Sequence, residues 1–121
     1  MSKRILVVED QEDNRRIIRD LLTASGFELI EAEDGLAGVE AAVREKPDLI
    51  LMDIQLPGLD GYEATRRIKA HADLKKTPVI AVTSYALSGD DKKAFAAGCD
   101  GYVTKPFSPR QLLEKIKEYL D

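Results

Sequence analysis

The sequence predicts an α/β fold: a five-stranded parallel sheet with helices on both faces. Three observations carry this. Short solid apolar runs recur along the chain, amphipathic helical patterns lie between them, and the connecting segments are short. Continuous runs rich in β-branched residues fit strands covered on both sides, which is the condition of a parallel sheet. Parallel neighbours need crossover connections, and right-handed helical crossovers put helices on both faces.

The elements follow in order. Ile5-Leu6-Val7-Val8 reads as the first strand. Ile17, Ile18, Leu21 and Leu22 share a face of the first helix, and Gly26 can end it in a left-handed cap. Leu29-Ile30 is a weaker second strand. Asp34 before Gly35 reads as a cap, and Leu36, Val39 and Val43 mark the face of the second helix. Leu49-Ile50-Leu51-Met52 is the third strand, and Asp60-Gly61-Tyr62-Glu63 opens the third helix. Val79-Ile80-Ala81-Val82 is the fourth strand, with a helix start at Ser88-Gly89-Asp90-Asp91. Tyr102-Val103 is the fifth strand. Ser108-Pro109-Arg110-Gln111 supplies an N-cap, a proline at the first helical position and a capping-box glutamine. Leu112, Leu113, Ile116 and Leu120 form the face of that last helix.

A chain of 121 residues has the size of one domain, expected to span residues 1–121. With 44% hydrophobic and 33% charged residues it can bury a real core. The balance of 18 basic against 22 acidic residues argues against a broad nucleic-acid surface. No apolar run approaches the roughly 20 residues of a membrane helix. Met1-Ser2-Lys3-Arg4 leads into only four apolar residues, too few for a signal-peptide core. A single cysteine, Cys99, cannot form an internal disulfide. The expectation is a soluble cytoplasmic domain that contacts neither membrane nor nucleic acid.

In open parallel sheets, ligands bind at the carboxyl ends of the strands. Glu9 and Asp10 follow the first strand, Asp53 ends the third, Thr83 and Ser84 end the fourth, and Lys105 follows the fifth. If the strand order is 2-1-3-4-5, these groups converge. Two like charges about 4 Å apart repel by roughly 4 kcal/mol at an effective dielectric of 20. Lys105 offsets one of three acids, and a divalent cation would balance the rest. The donors are all oxygens, which suits Mg²⁺; no nearby histidine or cysteine pair invites zinc. A carboxylate can attack phosphorus, and a cation, an ammonium, a hydroxyl and backbone N–H groups can stabilise the transferring phosphoryl group. No phosphate-binding Gly-x-x-x-x-Gly-Lys-Ser/Thr loop occurs, so the phosphoryl donor comes from elsewhere.

Each residue also has a plainer role. Asp10 could cap the first helix, Thr83 could be an ordinary strand residue, and Lys105 could be a solvated lysine. Asp53 is harder to dismiss, because an acid directly after a buried strand is costly without a partner. Their joint placement carries the weight. His71 and the Asp90-Asp91 and Lys92-Lys93 pairs read as solvated, and Cys99 as a small packed residue. Tyr102 lies close enough to the site to keep a functional reading.

These residues match a known pattern. The chain resembles the receiver domain of two-component response regulators over its entire length. The matching pieces are Val8-Glu9-Asp10, the segment from Asp48 through Asp53 and Pro57 to Gly61, Ala81-Val82-Thr83-Ser84, and Tyr102-Val103-Thr104-Lys105-Pro106-Phe107. Within the family it looks like stand-alone receivers of the DivK type and receivers attached to hybrid kinases. The resemblance implies a flavodoxin-like fold with strand order 2-1-3-4-5. It also implies that Asp53 accepts a phosphoryl group from the phosphohistidine of a sensor histidine kinase or histidine phosphotransferase. Glu9, Asp10, Asp53 and the backbone carbonyl of Gln55 would hold Mg²⁺, partly through water. Lys105 and Thr83 would contact the phosphoryl group, and Thr83 with Tyr102 would form the switch. Gln55 and Tyr85 would tune the phosphoryl lifetime, and Lys105-Pro106 would be a cis peptide. The first helix would help dock the kinase. The fourth helix, fifth strand and fifth helix would face a downstream protein effector. Many receivers have Asp where Glu9 stands; Glu keeps the charge and lengthens the arm.

Two rivals remain. A phosphatase working through an aspartyl phosphate commonly places a second acid two residues after the nucleophile, where this chain has Gln55. A phosphate-independent binding module would have no need of the acids. The expectation is therefore a phosphoacceptor signalling domain that fills the chain and acts through a protein surface. Glu9, Asp10, Asp53 and Lys105 then carry half of the net charge of −4, leaving 17 basic and 19 acidic residues elsewhere.

Overall fold

A computed structural model describes residues 3–83, 90–105 and 107–120. Among them lie five parallel strands in the order β2-β1-β3-β4-β5, the flavodoxin-like arrangement. In chain order the elements are β1 (Arg4–Val8), α1 (Glu12–Ala24), β2 (Glu28–Ala32), α2 (Gly35–Glu45), β3 (Leu49–Asp53), α3 (Gly61–Lys69), a 3₁₀ turn (Ala72–Leu74), β4 (Val79–Thr83), α4 (Asp90–Ala97), β5 (Gly101–Thr104) and α5 (Pro109–Leu120). The 3₁₀ turn has no counterpart in the apolar pattern; it tucks Leu74 into the core.

The sheet separates two cores. Alternate strand residues point to opposite faces. Leu6, Val8, Ile50, Met52, Val79 and Ala81 pack with α2, α3 and α4. Ile5, Val7, Leu49, Leu51, Ile80 and Val82 pack with α1 and α5. Every residue of β3 and β4 is buried, which explains why these strands read as unbroken apolar runs.

The helix ends follow local chemistry. At the end of α1, Gly26 takes φ +91°, its N–H returns to the Thr23 carbonyl, and the Phe27 N–H returns to Leu22. These are the two bonds of a Schellman cap. Asp34 accepts from the Ala37 N–H at 2.7 Å and Asp60 from the Glu63 N–H at 2.9 Å, capping α2 and α3. Ser108 and Gln111 form the reciprocal capping box at 3.1 and 3.0 Å. The expected start at Ser88-Gly89 lies outside the described residues.

Two helix faces depart from the sequence expectation. In α2 the buried residues are Gly35, Gly38, Ala41 and Ala42, while Leu36 is 54% exposed and Val43 is exposed. Small residues let this helix lie close to β1: a Cβ on Gly38 would stand 2.8 Å from a Val8 methyl. In α1, Ile18 and Leu22 are buried but Ile17 is 60% exposed. The third inward position belongs to Arg15.

Candidate functional site

The strand register assembles the site. β1 and β3 are direct neighbours, with Val8 opposite Met52, so Glu9 and Asp53 emerge side by side. The Glu9 N–H is held by the Ala32 carbonyl of β2 at 3.1 Å. β4 flanks β3 with Val82 opposite Asp53. Thr83 faces Thr104 of β5, and its carbonyl accepts the Lys105 N–H at 2.7 Å. That bond fixes the backbone of Lys105 at the edge where the acids stand.

Asp53 is 4% exposed and Glu9 2%. The Lys105 ammonium donates to Glu9 Oε1 at 2.7 Å and to Asp53 Oδ2 at 3.3 Å. The other oxygen of each acid meets a backbone donor: Gln11 N–H reaches Glu9 Oε2 at 3.2 Å, and Gln55 N–H reaches Asp53 Oδ1 at 3.0 Å. Burial alone would push the Lys105 ammonium down, but the Glu9 hydrogen bond and the charges of Asp53 and Glu9 outweigh it and hold the group above its ordinary range. Desolvation, followed by the hydrogen bond with Glu9, raises the Asp10 carboxyl above its usual value.

Asp10 is exposed and does not cap α1. The N-cap position belongs to Gln11, which makes no side-chain cap bond. One carboxylate oxygen from each of Glu9, Asp10 and Asp53 lies within 4.8 Å of the others. Three hard oxygen donors around one small volume, with a net charge of −2 after Lys105, fit a divalent cation. Magnesium–oxygen bonds are about 2.0–2.1 Å, and this ion characteristically keeps several waters. The observed spread suits one or two direct carboxylates with water completing the shell.

The loop after Asp53 is pressed against the site by α3. The Gly61 N–H bonds the Ile54 carbonyl at 3.0 Å, and a Cβ there would stand 2.7 Å from the Ile54 Cα and closer still to the Asp53 carbonyl oxygen. Only glycine permits that approach. Gln55 is exposed beside Asp53. Thr83 is 1% exposed. Tyr102 is half-buried against the α2–α4 core, on the strand face that it shares with Thr104. Ser84, Tyr85 and the Lys105-Pro106 peptide reach into segments outside the described residues. His71 is solvated and Cys99 is packed, as expected; desolvation raises the Cys99 thiol.

Sequence reasoning missed one residue. The side chain of Arg15 is only 7% exposed. It donates to the Glu9 carbonyl at 2.8 Å, pairs with Glu12, and lies 3.3 Å from Glu33 and 3.5 Å from Glu31. The signal was available: Arg15, Ile18 and Leu22 sit at i, i+3 and i+7, which is the spacing of one buried face.

A doubly wound sheet with an acid trio and a lysine at its carboxyl edge has the groups for moving a phosphoryl group onto a carboxylate, and the family it matches consists of signalling modules rather than turnover enzymes. The response regulator receiver domain family matches residues 5–117, and the chain belongs to that family. It is 45% identical over 120 residues to the polar-differentiation response regulator DivK of Brucella anthropi, covering 99% of this chain and 98% of that protein. Among solved structures it is similar to the receiver domain of sensor histidine kinase PA1611 from Pseudomonas aeruginosa, at 38% identity and a TM-score of 0.93. The match covers 99% of this chain and 98% of that one, whose structure has a magnesium ion coordinated in the active site cleft. It is likewise similar to a CheY-like receiver domain protein from Methanospirillum hungatei, at 37% identity, TM-score 0.91, and coverage of 100% and 95%. Among the described residues, no helix is long and apolar enough to cross a membrane.

Proposed function

We propose that residues 1–121 form a single receiver domain in which Asp53 accepts a phosphoryl group. The donor is the phosphohistidine of a sensor histidine kinase or histidine phosphotransferase. The observation that carries this reading is the buried Asp53 carboxylate, which shares the Lys105 ammonium with Glu9 at the carboxyl edge of the sheet.

An oxygen of Asp53 attacks phosphorus, the P–N bond breaks, and the imidazole leaves with the bonding pair. The product is an acyl phosphate on Asp53. The Gln55 N–H, already 3.0 Å from Asp53 Oδ1, orients the attacking carboxylate. Lys105 moves its ammonium from Glu9 toward the new phosphoryl oxygens, and the Thr83 hydroxyl offers a further donor. Asp53, Asp10, Glu9 and the Gln55 carbonyl would hold Mg²⁺, partly through water, and the ion would supply charge neutralisation. The magnesium in the PA1611 receiver supports this assignment. Phosphorylation replaces one carboxylate charge by roughly two phosphoryl charges. That change draws Thr83 and Lys105 inward and lets Tyr102 rearrange. The surface of α4, β5 and α5 then changes its affinity for a downstream protein, and Gln55 and Tyr85 set how long the state lasts.

The test is the mass of the protein after incubation with a small phosphodonor and Mg²⁺. Wild type gains one phosphoryl group on the peptide containing Asp53, and Asp53→Asn gains none there. Equal labelling of that peptide in the two proteins would overturn the assignment.

A further inference from the structure

Arg15 is a charge buried where the chain had an exposed alternative. Taking a guanidinium out of water costs free energy unless its partners compensate. Two of its acidic partners, Glu12 and Glu33, are themselves 60% and 77% exposed. One turn later, Arg19 pairs with Glu12 and Glu31 from a position that is 36% exposed. The ion pairs alone therefore do not require a buried arginine. Of the groups that Arg15 reaches and Arg19 does not, Glu33 is 77% exposed, and the other is the buried carbonyl of Glu9.

That carbonyl belongs to the peptide group joining Glu9 to Asp10. The Glu9 N–H is bound by Ala32 on one side, and the Glu9 carbonyl is bound by Arg15 on the other. The plane of the 9–10 peptide sets the direction in which both acid side chains leave the backbone. We infer that Arg15 is a positioning residue for the cation site, holding the Glu9–Asp10 peptide so that both carboxylates converge on Asp53. This rests on the Mg²⁺ site of the proposed function.

The experiment measures Mg²⁺ dissociation constants by calorimetry on wild type, Arg15→Met, Arg15→Gln and Arg19→Met. Each is assayed at a temperature where circular dichroism shows it folded. Groups that orient metal-binding side chains from behind typically contribute on the order of 10–100-fold in affinity. The Arg15 variants are expected to bind about tenfold more weakly, near the lower end of that range. Arg19→Met, which breaks ion pairs with Glu12 and Glu31 but touches neither Glu9 nor Asp10, keeps the wild-type affinity. Should Arg15→Met not fold, Arg15→Gln retains a polar head in the slot and is read in the same way. A folded Arg15 variant that binds Mg²⁺ as tightly as wild type overturns the inference, as does an equal weakening in Arg19→Met. Wild type that binds no Mg²⁺ would instead overturn the cation site itself, and the positioning role with it.

Discussion

Gly61→Ala tests how closely α3 holds the backbone at Asp53. An added Cβ would lie 2.7 Å from the Ile54 Cα and closer to the Asp53 carbonyl oxygen, so the clash is with backbone and no side chain can turn away. Overpacking of this kind costs about 1–3 kcal/mol and occasionally more, and a backbone clash belongs at the upper end. Alanine returns at most about 1 kcal/mol of helix propensity. The net loss is about 2 kcal/mol. At about 2.1 cal/mol/K per residue, unfolding a chain of this length releases about 0.25 kcal/mol/K, so Tm falls by about 8 °C. The clash also pushes the Asp53–Ile54 backbone outward, so phosphoryl acceptance from a small donor slows as well. Scanning calorimetry and a timed phosphorylation assay read the two effects. A melt within about 2 °C of wild type, well short of that shift, with unchanged labelling, would refute the close-approach argument.

Three further outcomes follow. Lys105→Met removes the ammonium that competes for Glu9 and Asp53, so Mg²⁺ binds more tightly in a calorimetric titration while phosphorylation slows by about 10²-fold or more. Glu31→Gln breaks the pairing with Arg19, whose hydrogen bond is the main cause of the lowered Glu31 carboxyl, and costs about 0.5 kcal/mol at neutral pH. Because the folded carboxyl lies below its unfolded value, that stability is present above the ordinary carboxylate range and is lost as pH falls through the folded value; urea melts at pH 7 and at successively lower pH should show the gap narrow. Asp34→Ala removes the α2 cap and costs about 1 kcal/mol in the same assay, with no effect on Mg²⁺ binding.

The sheet was legible because burial on both faces leaves a simple trace: β1, β3 and β4 are written as unbroken apolar runs. The acids were legible for a related reason, since polar side chains that directly follow such runs must emerge at the strand ends. The faces of α2 and α1 were less so. Apolar size misled in α2, where closeness to β1 selects Gly38, Ala41 and Ala42 and leaves the larger Leu36 outside. In α1 the expectation that charge faces water hid Arg15, whose burial is compensated by a carbonyl six residues upstream and by acids on β2 and beyond it. Its helical spacing with Ile18 and Leu22 marks the buried face, but the pairing with Glu31 and Glu33 joins segments distant in sequence, and no local pattern records that.

The sheet also works as a partition. Tyr102 packs against the α2–α4 layer, whereas Val82 and Val103 pack with α1 and α5 on the opposite side. A rearrangement of Tyr102 would act first on the α2–α4 layer, across the sheet from α1. Under the proposed function, α1 can keep a constant shape for whatever delivers phosphate while α4, in the opposite layer, takes up a new one.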